Sequence, residues 1–163
     1  MPLPHHPMPL PPLFACDVML GRTARWLRML GFDTFYNNRA GDDVLKQLCL
    51  KEHRVLLTKD VALHKSMPVG GSRLVEAIYP RRQLEDIVAA FQLQGFALPP
   101  RCSLCNGELA QIDKALIKDL VPPYVFRTQT IFQRCQSCQK IYWPGTHLDK
   151  INLFIENIRK VSG

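Results

Sequence analysis

The sequence lacks any apolar run of the roughly 18 residues that a membrane-spanning helix needs, which argues against a membrane protein. It also lacks a charged N-terminal segment followed by an apolar one, so we expect no signal peptide. Acidic residues are scarce, because Asp and Glu number 14 against 21 Lys and Arg, for a net charge of +7. This imbalance favours a polyanion such as RNA as partner, although basic proteins without nucleic-acid partners exist.

The six cysteines do not have the arrangement typical of a disulfide framework. Four of them form two Cys-x-x-Cys pairs, Cys102/Cys105 and Cys135/Cys138, and such pairs are typical of metal sites in reduced, intracellular proteins. Two such pairs complete a tetrahedral zinc site that leaves no open position for chemistry. We therefore predict structural Zn²⁺ and a cytoplasmic location, with a dithiol redox motif or disulfides as the competing interpretations.

Residues 13–98 alternate between strand-like and helix-like patterns, which predicts an α/β domain with a mostly parallel sheet covered on both faces. The predicted strands are 13–16, 34–36, 55–58 and 74–78, and the predicted helices are 21–30, 61–65 and two that begin at 42 and 80. The helix that begins at 42 is predicted to bury Val44, Leu45, Leu48 and Cys49. Cys16 and Cys49 occupy apolar positions and are interpreted as packed thiols.

Three further segments flank this region. Residues 1–12 are rich in proline, which blocks both helix and sheet, so we predict a disordered tail. Residues 99–147 begin at a Pro-Pro pair and combine the cysteine pairs with polar turns and alternating strands, which indicates a zinc ribbon. Residues 148–163 are predicted to form a C-terminal helix that docks with its apolar stripe on a neighbouring surface.

Acidic residues follow the first three predicted strands. Asp17 comes directly after the first strand and Asp60 after the third, while Asp42 and Asp43 begin the helix after the second. We call this edge, with its four aspartates, the acidic rim, because the carboxyl ends of parallel strands meet where ligands bind. Crowded carboxylates favour Mg²⁺ or Mn²⁺, which can support phosphodiester hydrolysis. Helix capping by Asp60, and by Asp42 or Asp43, is the alternative.

Three arginines of the first helix begin at the same edge. Arg22, Arg25 and Arg28 are predicted to lie opposite the apolar stripe of that helix. Arginine makes bidentate contacts with phosphate, so these side chains are candidates to hold an RNA backbone. A solvated polar helix face is the alternative, and Trp26 is interpreted as a packing residue rather than a platform for a base.

Four stretches of the sequence resemble the mut-7 C-terminal RNase family and occur in that family's order. They are the run from Asp17 to Thr34, the segment Leu57-Thr58-Lys59-Asp60, the Cys102-x-x-Cys105-Asn106 knuckle, and Ile141 to His147. The long first run and the Tyr-Trp-x-Gly-x-His ending are the specific parts of the resemblance, which covers residues 14–150.

The resemblance implies a PIN-like nuclease domain with a Rossmann-like αβα fold, followed by a zinc ribbon. It implies RNA cleavage with Mg²⁺ or Mn²⁺ held by three or four acidic residues. Asp17 and Asp60 match two of these positions, and one of Asp42 and Asp43 matches the position between them. PIN-type domains often pair, so a homodimer is a further expectation.

The chain departs from the family pattern at two points. Lys59 stands where the family often has arginine, which keeps the charge but loses the bidentate fork. A fourth carboxylate has no clear match, and Glu76 and Asp86 are weak candidates for it. His147, in the specific ending, is interpreted either as a contact to RNA phosphate or as a structural residue at the start of the last helix.

The sequence as a whole predicts a metal-dependent ribonuclease that acts on single-stranded or structured RNA. The predicted catalytic and Mg/Mn-binding residues are Asp17, Asp42 or Asp43, and Asp60, and the predicted RNA contacts are Arg22, Arg25, Arg28, Lys59 and His147. The segment between the cysteine pairs, with Lys114, Lys118 and Arg127, is either an RNA-contacting flap or a plain loop with a short helix. A non-catalytic RNA-binding zinc-ribbon module and a regulatory interaction protein are the alternatives, although neither requires carboxylates on one rim.

Overall fold

The computed structural model of the protein describes residues 9–161, apart from the side chains of residues 146–148, 159 and 161. Most of the Pro-rich tail predicted over residues 1–12 therefore lies outside the described residues, and residues 9–12 belong to neither helix nor strand. No helix in this described part of the chain is long and apolar enough to cross a membrane.

A four-stranded parallel sheet forms the centre of the larger part of the chain. Its strands are β1 (Phe14–Cys16), β2 (Thr34–Phe35), β3 (Val55–Thr58) and β4 (Ser72–Leu74), in the order β2-β1-β3-β4. From β1 the chain passes to β2 on one side, and from β3 it passes to β4 on the other. The strand order therefore reverses between β1 and β3, and open α/β sheets bind ligands at the carboxyl ends of the strands at such a switch point.

Helices cover both faces of this sheet. One face is covered by α1 (Gly21–Met29) and α4 (Pro80–Phe91), and the other by α2 (Asp42–Glu52) and α3 (Val61–Ser66). Successive residues of β1 point to opposite faces, so Phe14 and Cys16 join the first core and Ala15 joins the second. Each fully buried Leu or Phe in these cores stabilises the fold by roughly 1.5–3 kcal/mol. The predicted three-layer αβα arrangement is confirmed.

The fourth strand ends earlier than the sequence predicts. It covers Ser72–Leu74 rather than 74–78, because the chain leaves β3 after Val75 N donates to Thr58 O at 2.7 Å. Beyond this point the backbone carbonyls bond to side chains instead of to a neighbouring strand. We call residues 75–79, which join β4 to α4, the rim loop, since they lie at the carboxyl edge of the sheet.

Two helix residues lie on a different face from the one predicted. Val44 is 57% exposed because it lies about 100° around α2 from the buried Leu45. Arg28 is buried, whereas Arg22 and Arg25 are exposed. A spacing of three residues covers about 300° around a helix, which is about 60° short of a full turn. Two such spacings separate Arg22 from Arg28, so Arg28 lies about 120° around α1 from Arg22, towards the sheet.

The chain after residue 100 forms a second, antiparallel sheet. Its strands are β5 (Leu109–Gln111), β6 (Gln133–Cys135) and β7 (Ile141–Tyr142), in that spatial order. Between β5 and β6 the chain forms the short helix α5 (Pro123–Thr128), which packs over a small core centred on the fully buried Ile117 and Phe132. The short helix considered for this segment is therefore present.

The last helix, α6 (Thr146–Val161), returns to the larger part of the chain. The ring of Phe154 lies 6.1 Å from that of Trp26, and the Arg81 guanidinium lies 4.7 Å from the centre of the Phe154 ring. Docking of the C-terminal helix is confirmed, as is the packing role of Trp26. The division into units at residues 98 and 147 stays a prediction.

Candidate active site and metal centre

Asp17 follows β1 directly and Asp60 lies two residues after β3, and these neighbouring strands meet at the switch point of the sheet. Asp17 N donates to Leu57 O at 3.0 Å, so the pairing of the two strands continues to the first residue of the acidic rim. Parallel pairing of β1 and β3 brings these two aspartates to the same edge, as the alternation of strands and helices predicts.

Asp17 is almost fully buried, with 5% of its surface exposed. Its Oδ1 accepts a hydrogen bond from Met19 N at 3.0 Å, and its Oδ2 accepts from Thr58 Oγ1 at 2.5 Å and Lys59 N at 2.9 Å. These three donors hold the carboxylate in one orientation. A carboxylate offers about four acceptor positions, so roughly one remains, on Oδ1, for a further ligand.

Asp60 is exposed and also caps a helix. Its Oδ1 accepts from Leu63 N at 2.8 Å, which is the capping role considered from the sequence. Its own amide donates to Thr58 Oγ1 at 2.9 Å. The Thr58 hydroxyl therefore contacts both Asp17 and Asp60, while Oδ2 of Asp60 has no bonding partner among the described residues.

Asp42 and Asp43 are exposed in the first turn of α2. Neither of them is the cap of that helix, because the cap position is Gly41, so the capping alternative for these two residues is wrong. Among the described residues, the rim carboxylates are not brought together as a group of three that could hold a metal ion. Mg²⁺ is usually held by one or two carboxylates with waters and substrate phosphates, so these donors still fit such an ion.

Lys59 lies beneath the rim loop instead of pointing into solvent. Its Nζ donates to Ala77 O at 2.7 Å and to Val75 O at 3.4 Å. The structure therefore uses Lys59 differently from the predicted RNA contact, because its ammonium group is committed to backbone carbonyls. The weak carboxylate candidates Glu76, in the rim loop, and Asp86, on α4, are both exposed.

The predicted phosphate contacts divide into exposed and buried residues. Arg22 and Arg25 are exposed on the half of α1 nearest the acidic rim, and neither forms an ion pair within the described residues. In the segment between the cysteine pairs, Lys118 and Arg127 are exposed, whereas Lys114 Nζ donates to Gln129 O at 2.8 Å. The side chain of His147 lies outside the described residues, so its role stays a prediction.

Arg28 is a structural link rather than a surface residue. Its Nε donates to Thr34 O at 2.9 Å, and its Nη1 donates to Ser103 O at 3.0 Å and Leu104 O at 3.2 Å. Burial lowers the pKa of its guanidinium from the usual range. Because Thr34 begins β2, the first cysteine turn contacts the amino-terminal edge of the sheet, opposite the acidic rim.

The four paired cysteines converge on one point. Their Sγ atoms all lie within 4.8 Å of one another, with 3.7 Å between Cys102 and Cys138 and 3.4 Å between Cys105 and Cys135. Four sulfurs about 2.3 Å from one tetrahedral zinc are about 3.8 Å apart, so the quartet can hold a metal such as zinc. All four thiols are free, so the disulfide interpretation is wrong for this structure.

The two cysteine pairs occupy turns of the same form. Asn106 N donates to Cys102 O at 2.9 Å, and Gln139 N donates to Cys135 O at 3.0 Å. Asn106 and Gln139 both have left-handed backbones, with φ of 72° and 68°. Each turn therefore directs its two thiols towards the same point from one side.

Neighbouring groups stabilise the thiolate form of one cysteine. The pKa of the Cys135 thiol is lowered to about 7: burial alone would raise it, but the amide N–H groups of Cys138 and Ser137 and the adjacent thiols outweigh burial. The hydroxyl of Tyr142 lies 2.9 Å from Cys102 Sγ. Second contacts of this kind orient metal ligands.

The sequence model of one protein family, the Mut7-C RNAse domain, matches residues 12–155. The chain belongs to the Mut7-C RNAse domain family. The matched residues run from the segment before β1 into α6, so they include both the acidic rim and the cysteine quartet. Neither a curated protein nor a solved structure matches the chain. The family resemblance stated from the sequence is confirmed.

Two polar residues of this Mut7-C RNAse domain support the acidic rim and the first cysteine turn but are not among the site residues predicted from the sequence. Thr58 bridges Asp17 and Asp60, and Asn106 accepts from Thr34 N at 3.0 Å through its Oδ1. Both belong to stretches that resemble the family, so the resemblance itself was the available signal. Asp17 lies 41 residues from Thr58, and Thr34 lies 72 residues from Asn106, and local patterns do not report contacts at such separations.

Proposed function

We propose that the protein is a metal-dependent ribonuclease that hydrolyses RNA phosphodiester bonds at the acidic rim. The observation that carries the proposal is the pair of aspartates, Asp17 and Asp60, that lie just beyond the ends of neighbouring strands at the switch point and share the Thr58 hydroxyl. Membership in the Mut7-C RNAse domain family supports the class of reaction.

The proposed ion is Mg²⁺ or Mn²⁺, held by Asp17 and Asp60, and by one of Asp42 and Asp43 once that exposed side chain turns towards it, with waters in the remaining positions. The donors fit, because all are hard carboxylate oxygens and because Asp17 and Asp60 both keep an acceptor position. Such an ion would make a bound water more acidic and neutralise charge on the phosphate. The Asp17 carboxylate would set the position of the ion, because three hydrogen-bond donors hold that carboxylate in one orientation. The exposed aspartates can turn towards the substrate.

Arg22 and Arg25 are the proposed contacts to the RNA backbone. They are exposed and unpaired in the described part of the chain, and the net charge of +7 favours a polyanion. We further propose that the cysteine quartet holds structural Zn²⁺, because its sulfur spacing matches a tetrahedral site. The cytoplasmic location and the homodimer stay predictions.

The test of this function incubates the zinc-loaded protein with a labelled single-stranded RNA, in Mn²⁺ and in metal-free buffer, and measures cleavage and binding separately. We expect cleavage only with Mn²⁺. RNA binding that is indifferent to Mn²⁺ and never followed by cleavage would contradict the proposal and favour a binding module. Absence of both binding and cleavage would favour an interaction protein.

A further inference from the structure

Large apolar side chains near the acidic rim are exposed to solvent. Ile78 and Tyr79 of the rim loop are 79% and 72% exposed. Val18 and Met19, in the turn after β1, are 52% and 70% exposed. We call Ile78 and Tyr79 the rim-loop ledge, and Val18 and Met19 the second ledge. Apolar side chains grouped at the ligand-binding edge of a sheet indicate an interaction surface, whereas isolated exposed ones do not.

The rim-loop ledge is anchored from below by polar side chains. Ala77 O accepts from Lys59 Nζ at 2.7 Å and from Gln83 Nε2 at 3.0 Å, and Gln83 also donates to Ile78 O at 3.2 Å. Thr23 Oγ1 donates to Gln83 Oε1 at 2.6 Å, and both of these residues are buried. The backbone of the ledge is therefore fixed, so the exposure of its side chains is built into the fold.

The second ledge is anchored in a similar way. Met19 N donates to Asp17 Oδ1 at 3.0 Å, and the Tyr36 hydroxyl donates to Val18 O at 3.0 Å. After β4 the rim loop passes the end of β3, where Lys59 contacts it, and enters α4, which lies beside α1, the helix that follows the second ledge. Asp60, which follows Lys59, begins α3 on the other face of the sheet.

An unpaired strand of nucleic acid has the chemistry that suits this edge. Its phosphates suit the cation proposed at the acidic rim and the exposed Arg22 and Arg25, which follow the second ledge on α1. Its bases have flat apolar faces, and they stack on aromatic side chains whatever the sequence. In a duplex these faces are covered by neighbouring bases, so the ledges would have nothing to contact.

We propose that the two ledges receive unpaired bases beside the phosphodiester at the acidic rim, and that Tyr79 is the stacking side chain. This inference rests on the proposed ribonuclease function and adds the residues that select unpaired substrate. Lys59 is a positioning residue in this arrangement, because it acts on the bases through the backbone of the rim loop.

The test measures equilibrium binding without Mg²⁺ or Mn²⁺, so that binding is separated from cleavage. The probes are a labelled oligoadenylate and an abasic strand of the same length, which carries the same phosphates without bases. We expect wild type to prefer the oligoadenylate. Tyr79→Ala should weaken its binding about 5- to 100-fold and leave the abasic strand unaffected, whereas Tyr79→Phe should bind normally. Tyr124→Ala is the matched control, since Tyr124 is 68% exposed on α5.

Lys59 is tested by the same ratio of affinities. Lys59→Met should lose part of the preference for the base-bearing strand, and Lys59→Arg should restore it, because arginine can still donate to the rim-loop carbonyls. Thermal denaturation checks that both variants fold. If Lys59→Met does not fold, the surface variant Tyr79→Ala still decides the question.

Several results would overturn the inference. These are equal affinity of wild type for the two strands, equal effects of Tyr79→Ala and Tyr124→Ala, or no binding of either strand. An unchanged affinity in Tyr79→Ala would indicate that the ledges contact a protein partner instead. Failure of the ribonuclease proposal looks different, because base-dependent binding would remain while Mn²⁺-dependent cleavage was absent.

Discussion

A single hydroxyl connects the two aspartates that lie just beyond the ends of neighbouring strands of the sheet. Thr58 Oγ1 donates its proton to Asp17 Oδ2 and accepts from Asp60 N, and the residue is completely buried. Serine can make both bonds, whereas valine has the shape of threonine and can make neither. Thr58 is therefore expected to orient Asp17 without touching the substrate.

We predict that Thr58→Val lowers Mn²⁺-dependent cleavage about 10- to 100-fold, the range typical of residues that orient metal ligands. Thr58→Ser should keep most of the activity. The measurement is kcat/KM for a labelled RNA, with thermal denaturation to check folding. Equal activity of the valine and serine variants would show that the hydroxyl does not orient the site.

The contacts of Arg28 lead to a second prediction at the scale of one residue. Arg28→Met leaves three backbone carbonyls without their donor, at Thr34, Ser103 and Leu104. We expect a loss of about 3 kcal/mol in the free energy of unfolding, because buried polar groups would lose their partners. Arg25→Met, on the exposed face of the same helix, is the control. Denaturant unfolding should distinguish them, and similar stabilities would refute the structural role of Arg28.

At the scale of elements, the cysteine turns depend on close approach of the backbone. A Cβ on Gly107 would lie 2.7 Å from Cys135 Sγ, which is closer than such atoms pack, whereas one on Gly95 would meet nothing within 4 Å. The first turn can therefore reach the second only with glycine at position 107. This steric condition belongs to the turn as a unit, since Gly107 itself binds no metal.

We predict that Gly107→Ala weakens zinc binding, while Gly95→Ala leaves it unchanged. Competition with a coloured chelator gives both the affinity and the stoichiometry, which we expect to be one zinc per wild-type chain. Because the first turn contacts the sheet through Arg28, zinc loss should also lower the thermal midpoint of the whole chain. A wild-type affinity in Gly107→Ala would contradict the packing argument.

Elements defined by local patterns were predictable from the sequence, and those defined by distant partners were not. Apolar runs predict strands β1 and β3, and helical spacing of apolar residues predicts α4. The spacing of the cysteines predicts the quartet. The rim loop has the composition of a strand, but Gln83 and Lys59 take the carbonyls that a strand would use. Arg28 is buried because its partners Ser103 and Leu104 come from a remote turn.

At the scale of the whole molecule, the two sites occupy opposite edges of one sheet. The acidic rim lies at the carboxyl ends of the strands, and the first cysteine turn bonds to the amino-terminal edge through Arg28 and Asn106. The segment that carries the cysteine quartet therefore contacts the parallel sheet at the edge away from the carboxylates. We expect phosphates at the rim to be held by Arg22 and Arg25, the exposed arginines of α1.

This arrangement predicts how RNA binding depends on salt. The double variant Arg22→Gln/Arg25→Gln should lower the slope of log K against log salt by about 1.4, because each phosphate contact to a single strand contributes about 0.7. Lys51→Gln/Lys65→Gln removes the same charge from exposed positions near the C-terminal ends of α2 and α3. That control should leave the slope nearly unchanged. Equal slopes for both double variants would mean that only net charge matters.

The central claim is that Asp17 directs a cation at the acidic rim for RNA hydrolysis. The most direct measurement is Mn²⁺-dependent cleavage of a labelled single-stranded RNA by wild type, Asp17→Asn and Asp113→Asn. Asp113 is the matched control, because it also accepts from an amide two residues ahead but lies in the ribbon. We predict that Asp17→Asn loses at least about 100-fold in activity while it still binds RNA, and that Asp113→Asn cleaves normally. Full Mn²⁺-dependent cleavage by a folded Asp17→Asn protein would contradict the account.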